Sequence, residues 1–335
     1  MRILFISNLN PHFENTNTYR LKAMHELGHD PIFFEDRDFI LPGRIRQKIG
    51  FLQKWDLGLL NRRMVEVAKK TRPQLCLVVG GYRISAHTLA CLRDMGINNV
   101  LWTTDPPRPE FKHIVATAHL YDHVFCAGTE AIDILANTCR KDAAWLPFGC
   151  DLDVHCPMDL NHDEKLQYGR DLVFVGAYYP YRWEILKNLI GRYDIGIWGP
   201  GWEQVAHEQY DKSIYPGPLN HTQWVKLYNA TKIVIIIHYQ DGITPSFQAS
   251  PKVFEALACR SFVLVDTQRD VFKLFSSGKE LVGFDGNDDL NIKIEHFLSR
   301  EEERREIAAA GYQVVIQRHS YRHRLKTILD RVESE

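Results

Sequence analysis

The stretch Ser246 to Asp266, SFQASPKVFEALACRSFVLVD, carries the residues best arranged for chemistry. A polar loop ends at Ser250, and Pro251 stands where a first helical residue tolerates a missing N–H. KVFEALAC continues as a helix, and FVLVD reads as the next strand. The free N–H groups and positive dipole end of such a helix suit a phosphate, and Lys252 in its first turn adds a point charge. Glu255 lies one turn further in, where a carboxylate can accept two hydrogen bonds from a vicinal diol such as a ribose. The competing reading makes Glu255 a solvated helix residue or the salt-bridge partner of Lys252; the order strand, loop, helix favours a ligand.

Two candidates for proton transfer lie in the first half. Asp105 follows the strand-like VLWTT, in a loop stiffened by Pro106 and Pro107, and His12 sits in NLNPHFEN after the first strand with Glu14 beside it. An ordinary helix cap for Asp105 and an ordinary surface histidine for His12 are the alternatives. Other chemistries lack their signatures. No GxGxxG follows the first strand, no GxxxxGK[ST] occurs, and the fifteen histidines include no HExxH. His319 and His323, four apart, read as a solvated pair. The seven cysteines are odd in number and form no CxxC, so neither a disulfide framework nor a zinc site is indicated.

These residues need a scaffold. Arg2–Ser7, Pro31–Glu35, Leu75–Val79, Val100–Thr103, His123–Cys126 and Ala144–Pro147 are short apolar runs bounded by turn residues, which predicts strands. Between them, Thr16–Leu27, Leu59–Lys70, Ser85–Met95, Pro109–Ala118 and Glu130–Asn137 carry helical spacing. Strict alternation argues for a parallel sheet with helices on both faces. A second alternation follows, with strands at Asp171–Gly176, Ile195–Trp198, Lys232–His238, Phe262–Asp266 and Leu281–Phe284. Helices are predicted at Tyr181–Ile190, Thr222–Asn229, Pro251–Cys259 and Val271–Ser276, then at Asn287–Ser299, Glu301–Arg318 and Tyr321–Val332. The expected organisation is a doubly wound Rossmann-like α/β domain over 1–150, a non-periodic linker at 151–170, a second such domain over 171–318, and a terminal crossover helix at 319–335. Ligands bind where the carboxyl ends of such strands face a cleft.

The composition agrees with a packed two-domain protein. The chain has 335 residues, 45% hydrophobic and 25% charged, which excludes a disordered or fibrous protein. Lys and Arg number 41 against 42 Asp and Glu, so no global positive field gathers nucleic acid. The longest aliphatic run, Ile233–Ile237, is far below the roughly 20 residues of a membrane span. With no cleavable leader pattern, the expected location is cytoplasmic. Phe39 to Trp55 mixes Arg44, Arg46 and Lys48 with Ile45, Ile49, Phe51, Leu52 and Trp55. It reads as an excursion with a solvated basic face, and contact with a membrane surface is the less favoured alternative.

The stretch 251–266, together with FVGAYYPYR at 174–182, WGPGW at 198–202, SSGKELVGF at 276–284 and IAAAGYQVVIQRHSYRHRLKTIL at 307–329, resembles B-type glycosyltransferases, with details similar to their spore-maturation (CgeB-like) branch. TTDPP at 103–107 is the most suggestive piece of the first half. The resemblance implies a nucleotide-sugar donor held by the C-terminal domain, with a UDP-sugar as the default, no cofactor and no metal. It implies that Glu255 binds ribose hydroxyls and that Lys252 and Arg182 neutralise the diphosphate beside Ser250. Gly176, Gly199, Gly201 and Trp202 would border the nucleotide pocket. Asp105 or His12 would then be the catalytic base in the acceptor-binding N-terminal domain. Two positions depart from the wider superfamily. Phe247 stands where retaining members often carry a second glutamate, and Arg260 replaces a frequent glycine after the Ala-Cys pair. A nucleotide-sugar epimerase or phosphorylase on the same scaffold, or a non-catalytic nucleotide-sugar-binding protein, are the alternatives. The acceptor is left open among protein, glycan, lipid-linked glycan, metabolite and modified nucleic acid.

Overall fold

The computed structural model describes all residues except 11–14, 47, 141, 207–212, 218 and 335. His12 and Glu14 of the first loop therefore lie outside the described residues.

In the first half the order is β1 (Arg2–Ser7), α1 (Thr16–Glu26), β2 (Asp30–Glu35), α2 (Gly43–Arg46), α3 (Gly50–Thr71), β3 (Leu75–Val79) and α4 (Ala86–Asp94). It continues with β4 (Asn98–Thr103), α5 (Lys112–Thr117), β5 (His123–Cys126), α6 (Thr129–Thr138) and β6 (Ala144–Trp145). Six strands form one sheet in the order β2-β1-β3-β4-β5-β6. Every pairing is parallel, with Ile3 opposite Pro31 on one side and Leu75 on the other. All five residues of β3 are buried, as a strand covered on both faces requires.

The second half runs α7 (His162–Tyr168), β7 (Leu172–Val175), α8 (Pro180–Leu186), β8 (Ile195–Gly199), β9 (Ile214–Pro216), α9 (His221–Ala230), β10 (Ile233–Ile236) and α10 (Pro251–Ala258). Then come β11 (Val263–Asp266), α11 (Val271–Leu274), β12 (Val282–Phe284), α12 (Gly286–Leu298), α13 (Glu301–Arg318) and α14 (Tyr321–Glu333). Its sheet is also parallel, in the order β12-β11-β10-β7-β8-β9. In each sheet the chain starts in the middle and winds outward both ways. The strand order reverses beside β1 in one and between β7 and β10 in the other, and these reversals open crevices for ligands.

The chain crosses between the sheets more than once. Tyr321, Leu325, Ile328 and Leu329 of α14 join Ile3, Tyr19, Met24 and Leu77 in one buried cluster, so the last helix packs on the first sheet. Arg324 on that helix donates to the carbonyls of Pro147 and Phe148 at 2.8 and 2.9 Å, and the backbones of Cys150 and Ser320 form a parallel bridge. Lys22 of α1 reaches Asp151 and Asp153 at 2.9 and 2.8 Å. On the other flank Thr129 gives its N–H and hydroxyl to Asp270, at 2.8 and 2.7 Å.

Several local expectations change. The non-periodic 151–170 contains α7, started by a reciprocal cap in which Asn161 and Glu164 satisfy each other's backbone N–H. Seven residues are too few for periodicity to register. β9 escapes for the same reason. α8 ends at Leu186 rather than Ile190. α3 begins at Gly50 instead of Leu59, because its first turns are solvated: Phe51 is 75% exposed and its sequence shows no buried stripe there.

Candidate functional site

β7 ends at Val175 and runs into Gly176 and Ala177, β8 ends at Gly199, and the loop after β10 delivers the N-terminus of α10 to the same place. Opposite stands the N-terminus of α1, with Asn15 as its cap. A cavity of about 510 Å³ lies between, lined on one side by Asn15, Thr16 and Tyr19 and on the other by Val175–Ala177, Gly199, Pro200, Leu219, Trp224, Tyr228, Pro251, Lys252 and Glu255. Two helices thus direct their positive ends at one space.

Glycine is required on the floor. At Gly199, with φ of +142°, a Cβ would lie 2.2 Å from the carbonyl oxygen of Gly176. Two backbones approach here with no room for a side chain, so the floor presents main chain and not side chains to a ligand. Trp202 does not border the cavity. It is fully buried between Phe174 and Tyr178, and its indole N–H donates to the Gly176 carbonyl at 2.8 Å. Gly201, with φ of +87°, makes the turn that brings Trp202 there. Both shape the floor from below.

The α10 N-terminus is set by groups that no motif announces. Ser250 is the cap, accepting the N–H of Lys252 at 3.4 Å. Its own N–H donates to Nε2 of buried His238 at 2.9 Å. Nδ1 of His238 faces Asp266 at 2.5 Å, and the His238 backbone N–H meets the other carboxylate oxygen at 2.9 Å. Asp266 therefore fixes the imidazole tautomer that accepts from Ser250. Ser250 acts as a cap and is not part of the cavity wall. Gln268 pins the preceding loop by donating to the carbonyls of Ser246 and Gln248.

Glu255 is 7% exposed and faces the cavity. No ion pair within 4.0 Å reaches it or Lys252 among the described residues, so the two do not neutralise each other. Burial lowers the Lys252 pKa, the Glu255 charge opposes this and Arg182 adds to it. Arg182 stands behind the wall. It donates to the carbonyls of Ala177 and Ile237 at 2.9 and 2.7 Å and lies over Tyr179 and Phe174, tying the β7 loop to the end of β10. It holds the peptide that a ligand would meet, and its charge adds to that of Lys252. On the far wall Trp224 stacks on His155, which meets Tyr19 edge-on; the Trp224 indole N–H is buried and has no partner among the described residues.

A second chamber, also about 510 Å³, adjoins the first across Asn15, Thr16 and Pro251. It belongs to the first half of the chain and contains Asp105, carried by the loop after β4. The carboxylate is open to the cleft yet surrounded by protein. Burial raises its pKa, against the attraction of Arg108, Arg37, Arg83 and Arg20. A carboxyl held above the ordinary range beside a ligand space has the properties of a general base.

Among the described residues, no group of three or more His, Cys, Asp or Glu side chains is placed to hold a metal ion, and no helix is long and apolar enough to cross a membrane.

Residues 182–330 match the family model described as glycosyl transferase-like. No curated protein matches the sequence. Among solved structures, HepE of Anabaena, in complex with UDP and glucose, superposes with a TM-score of 0.69 at 12% identity over 100% of both chains. Sucrose-phosphate synthase of Thermosynechococcus elongatus gives 0.74 at 12% identity, over 100% of this chain and 99% of that one. A glycosyltransferase of Rickettsia africae gives 0.68 at 13% identity, over 98% and 97%. At such identities the likeness establishes the fold: two facing parallel α/β sheets of the B-type.

Proposed function

We propose that this chain, a glycosyltransferase of the B-type fold, binds a nucleoside-diphosphate sugar in the first chamber and transfers the sugar to an acceptor hydroxyl held in the second. The observation that carries the donor assignment is Glu255, a buried carboxylate with no ion-pair partner among the described residues, one helical turn below the α10 N-terminus and Lys252. Ribose hydroxyls fit its two oxygens. The diphosphate fits the positive dipole end of α10 and the Lys252 ammonium, with the α1 N-terminus facing them. This arrangement supplies positive charge for the leaving group from the chain itself, so the reading is metal-independent. That HepE is recorded with UDP and glucose supports a uridine nucleotide as the donor's carrier. The quoted motifs of 174–182 and 251–266 support the CgeB-like branch.

In the reaction, the acceptor oxygen bonds to the anomeric carbon as the bond from that carbon to the diphosphate oxygen breaks. The nucleoside diphosphate leaves with the electron pair, and the acceptor proton passes to Asp105. His12 is the other candidate for that proton. Phe247 occupies the place of the second glutamate, where it lies under Arg269, and supports no retaining mechanism.

The test is a thermal-shift series with nucleoside diphosphates. A ligand at about 100 times its dissociation constant adds roughly 2.7 kcal/mol. UDP is expected to raise Tm, and Glu255→Ala to weaken its affinity by about 1.5–3 kcal/mol, as loss of a charged hydrogen-bonding group does. Lys252→Ala acts in the same direction. Unchanged affinity in both variants would falsify the assignment.

A further inference from the structure

The second chamber is lined by guanidinium groups from four separate segments: Arg20 on α1, Arg37 after β2, Arg83 before α4 and Arg108 after β4. All four act on Asp105. Only Arg83 has a carboxylate of its own, its Nη1 standing 3.1 Å from Asp36; among the described residues the other three form no ion pair within 4.0 Å. Arg20 is the most informative. It is 1% exposed, and its Nη1 donates to Thr16 at 2.9 Å and to Asn17. Among the described residues its Nε and Nη2 have no hydrogen-bond partner, and the group lies 4.3 Å over the Trp102 ring. A buried guanidinium with two unused donors costs free energy unless an anion completes it. Arginine offers N–H donors and no acceptor, in a planar fork matched to phosphate and carboxylate oxygens. A neutral sugar, by contrast, offers hydroxyls that both donate and accept and calls for no concentration of positive charge.

Resting on the reading of this chamber as the acceptor side, we propose that the acceptor carries an anionic group, a phosphate or carboxylate. That group seats among Arg20, Arg37, Arg83 and Arg108 and leaves the reacting hydroxyl at Asp105. The anion fixes the acceptor's orientation, and the shared Asn15, Thr16 and Pro251 let its far end reach the donor chamber.

The full-length protein is titrated by calorimetry with glucose, glucuronate, glucose 6-phosphate and octyl phosphate, each with and without saturating UDP. At least one charged probe is expected to bind tenfold or more tightly than glucose. Glucuronate against glucose 6-phosphate separates carboxylate from phosphate, and octyl phosphate against glucose 6-phosphate separates a lipid-borne anion from a soluble one. Arg37→Ala and Arg108→Ala, both on exposed residues and so expected to fold, should each lower that affinity about tenfold and leave UDP affinity within twofold. Equal binding of glucose and the charged probes, or arginine variants without effect, overturns the proposal. If the anions bind and UDP does not, the transferase reading of the cleft falls while the anion site stands.

Discussion

The two chambers are equal in size and opposite in construction. The donor side is walled by bare glycine backbone, apolar rings and helix N-termini, with Lys252 and Glu255 as its charged side chains. The acceptor side is walled by Arg20 of α1 and by arginines and carboxylates on loops. On the proposed reading one would recognise a nucleotide through groups fixed by the fold, and the other presents side chains that a few substitutions would re-aim. The proposed function assigns them a division of labour in which the first chamber binds and the second performs the proton transfer.

The largest effect expected from breaking that division falls on Asp105. Asp105→Asn keeps shape and removes the base, so turnover should fall about 100- to 10,000-fold. UDP affinity should be unchanged. Because the Asp105 pKa is raised, turnover of the parent enzyme should be lost on acidification at a pH above the ordinary carboxylate range. A variant that keeps full turnover would move the base elsewhere, with His12 next in line.

The same contrast explains what was legible in the sequence. Ser250, Lys252 and Glu255 lie on one continuous loop and helix, so a pattern of nearest neighbours carried their chemistry. The alternation of strands and helices gave both sheets, since buried parallel strands are short apolar runs wherever they occur. Trp202 and Arg182 misled because a motif records that a residue is needed, not whether it touches ligand. One clamps the Gly176 carbonyl, and the other holds those of Ala177 and Ile237. The His238–Asp266 pair, spanning 28 residues, and the arginines of the second chamber, drawn from four segments, meet only through topology.

A smaller effect concerns how the chambers are held together. Glu130 sits at the start of α6 beside the Thr129–Asp270 contact, 3% exposed, with neither carboxylate oxygen finding an aligned partner among the described residues. Burial pushes its carboxyl up to about 7; the nearby N–H groups of Glu130 and Phe247 oppose this and the Asp270 charge reinforces it. The folded chain thus keeps a proton up to about pH 7 that the unfolded chain releases from its ordinary value of 4.5. Stability from this group is therefore greatest below pH 4.5 and declines as pH rises to 7. Glu130→Gln should abolish that slope and gain about 1–3 kcal/mol at pH 8, where the parent carries a buried charge. Denaturant unfolding at pH 5 and pH 8 checks it. Parallel curves for parent and variant would show that Glu130 is solvated as readily as any surface carboxylate.

The smallest effect sharpens the donor side. α10 ends in a motif whose two closing bonds, Ser261 N–H to Ala256 O at 3.1 Å and Arg260 N–H to Leu257 O at 3.0 Å, require a left-handed residue at Arg260. Its φ is +59°, so arginine holds a left-handed turn that glycine makes more readily, at a steric cost. The side chain is exposed and its removal opens no cavity. Arg260→Gly should therefore stabilise the protein by about 0.5–1 kcal/mol, the relieved strain being partly offset by glycine's freedom when unfolded. Donor affinity should not change, because Ser250, His238 and Asp266 fix the opposite end of α10. A gain in Tm with unaltered UDP binding would show that the helix is anchored from its N-terminus. A change in UDP affinity would mean that strain at the far end reaches the N-terminus of α10, and the donor chamber would then be as adjustable as its neighbour.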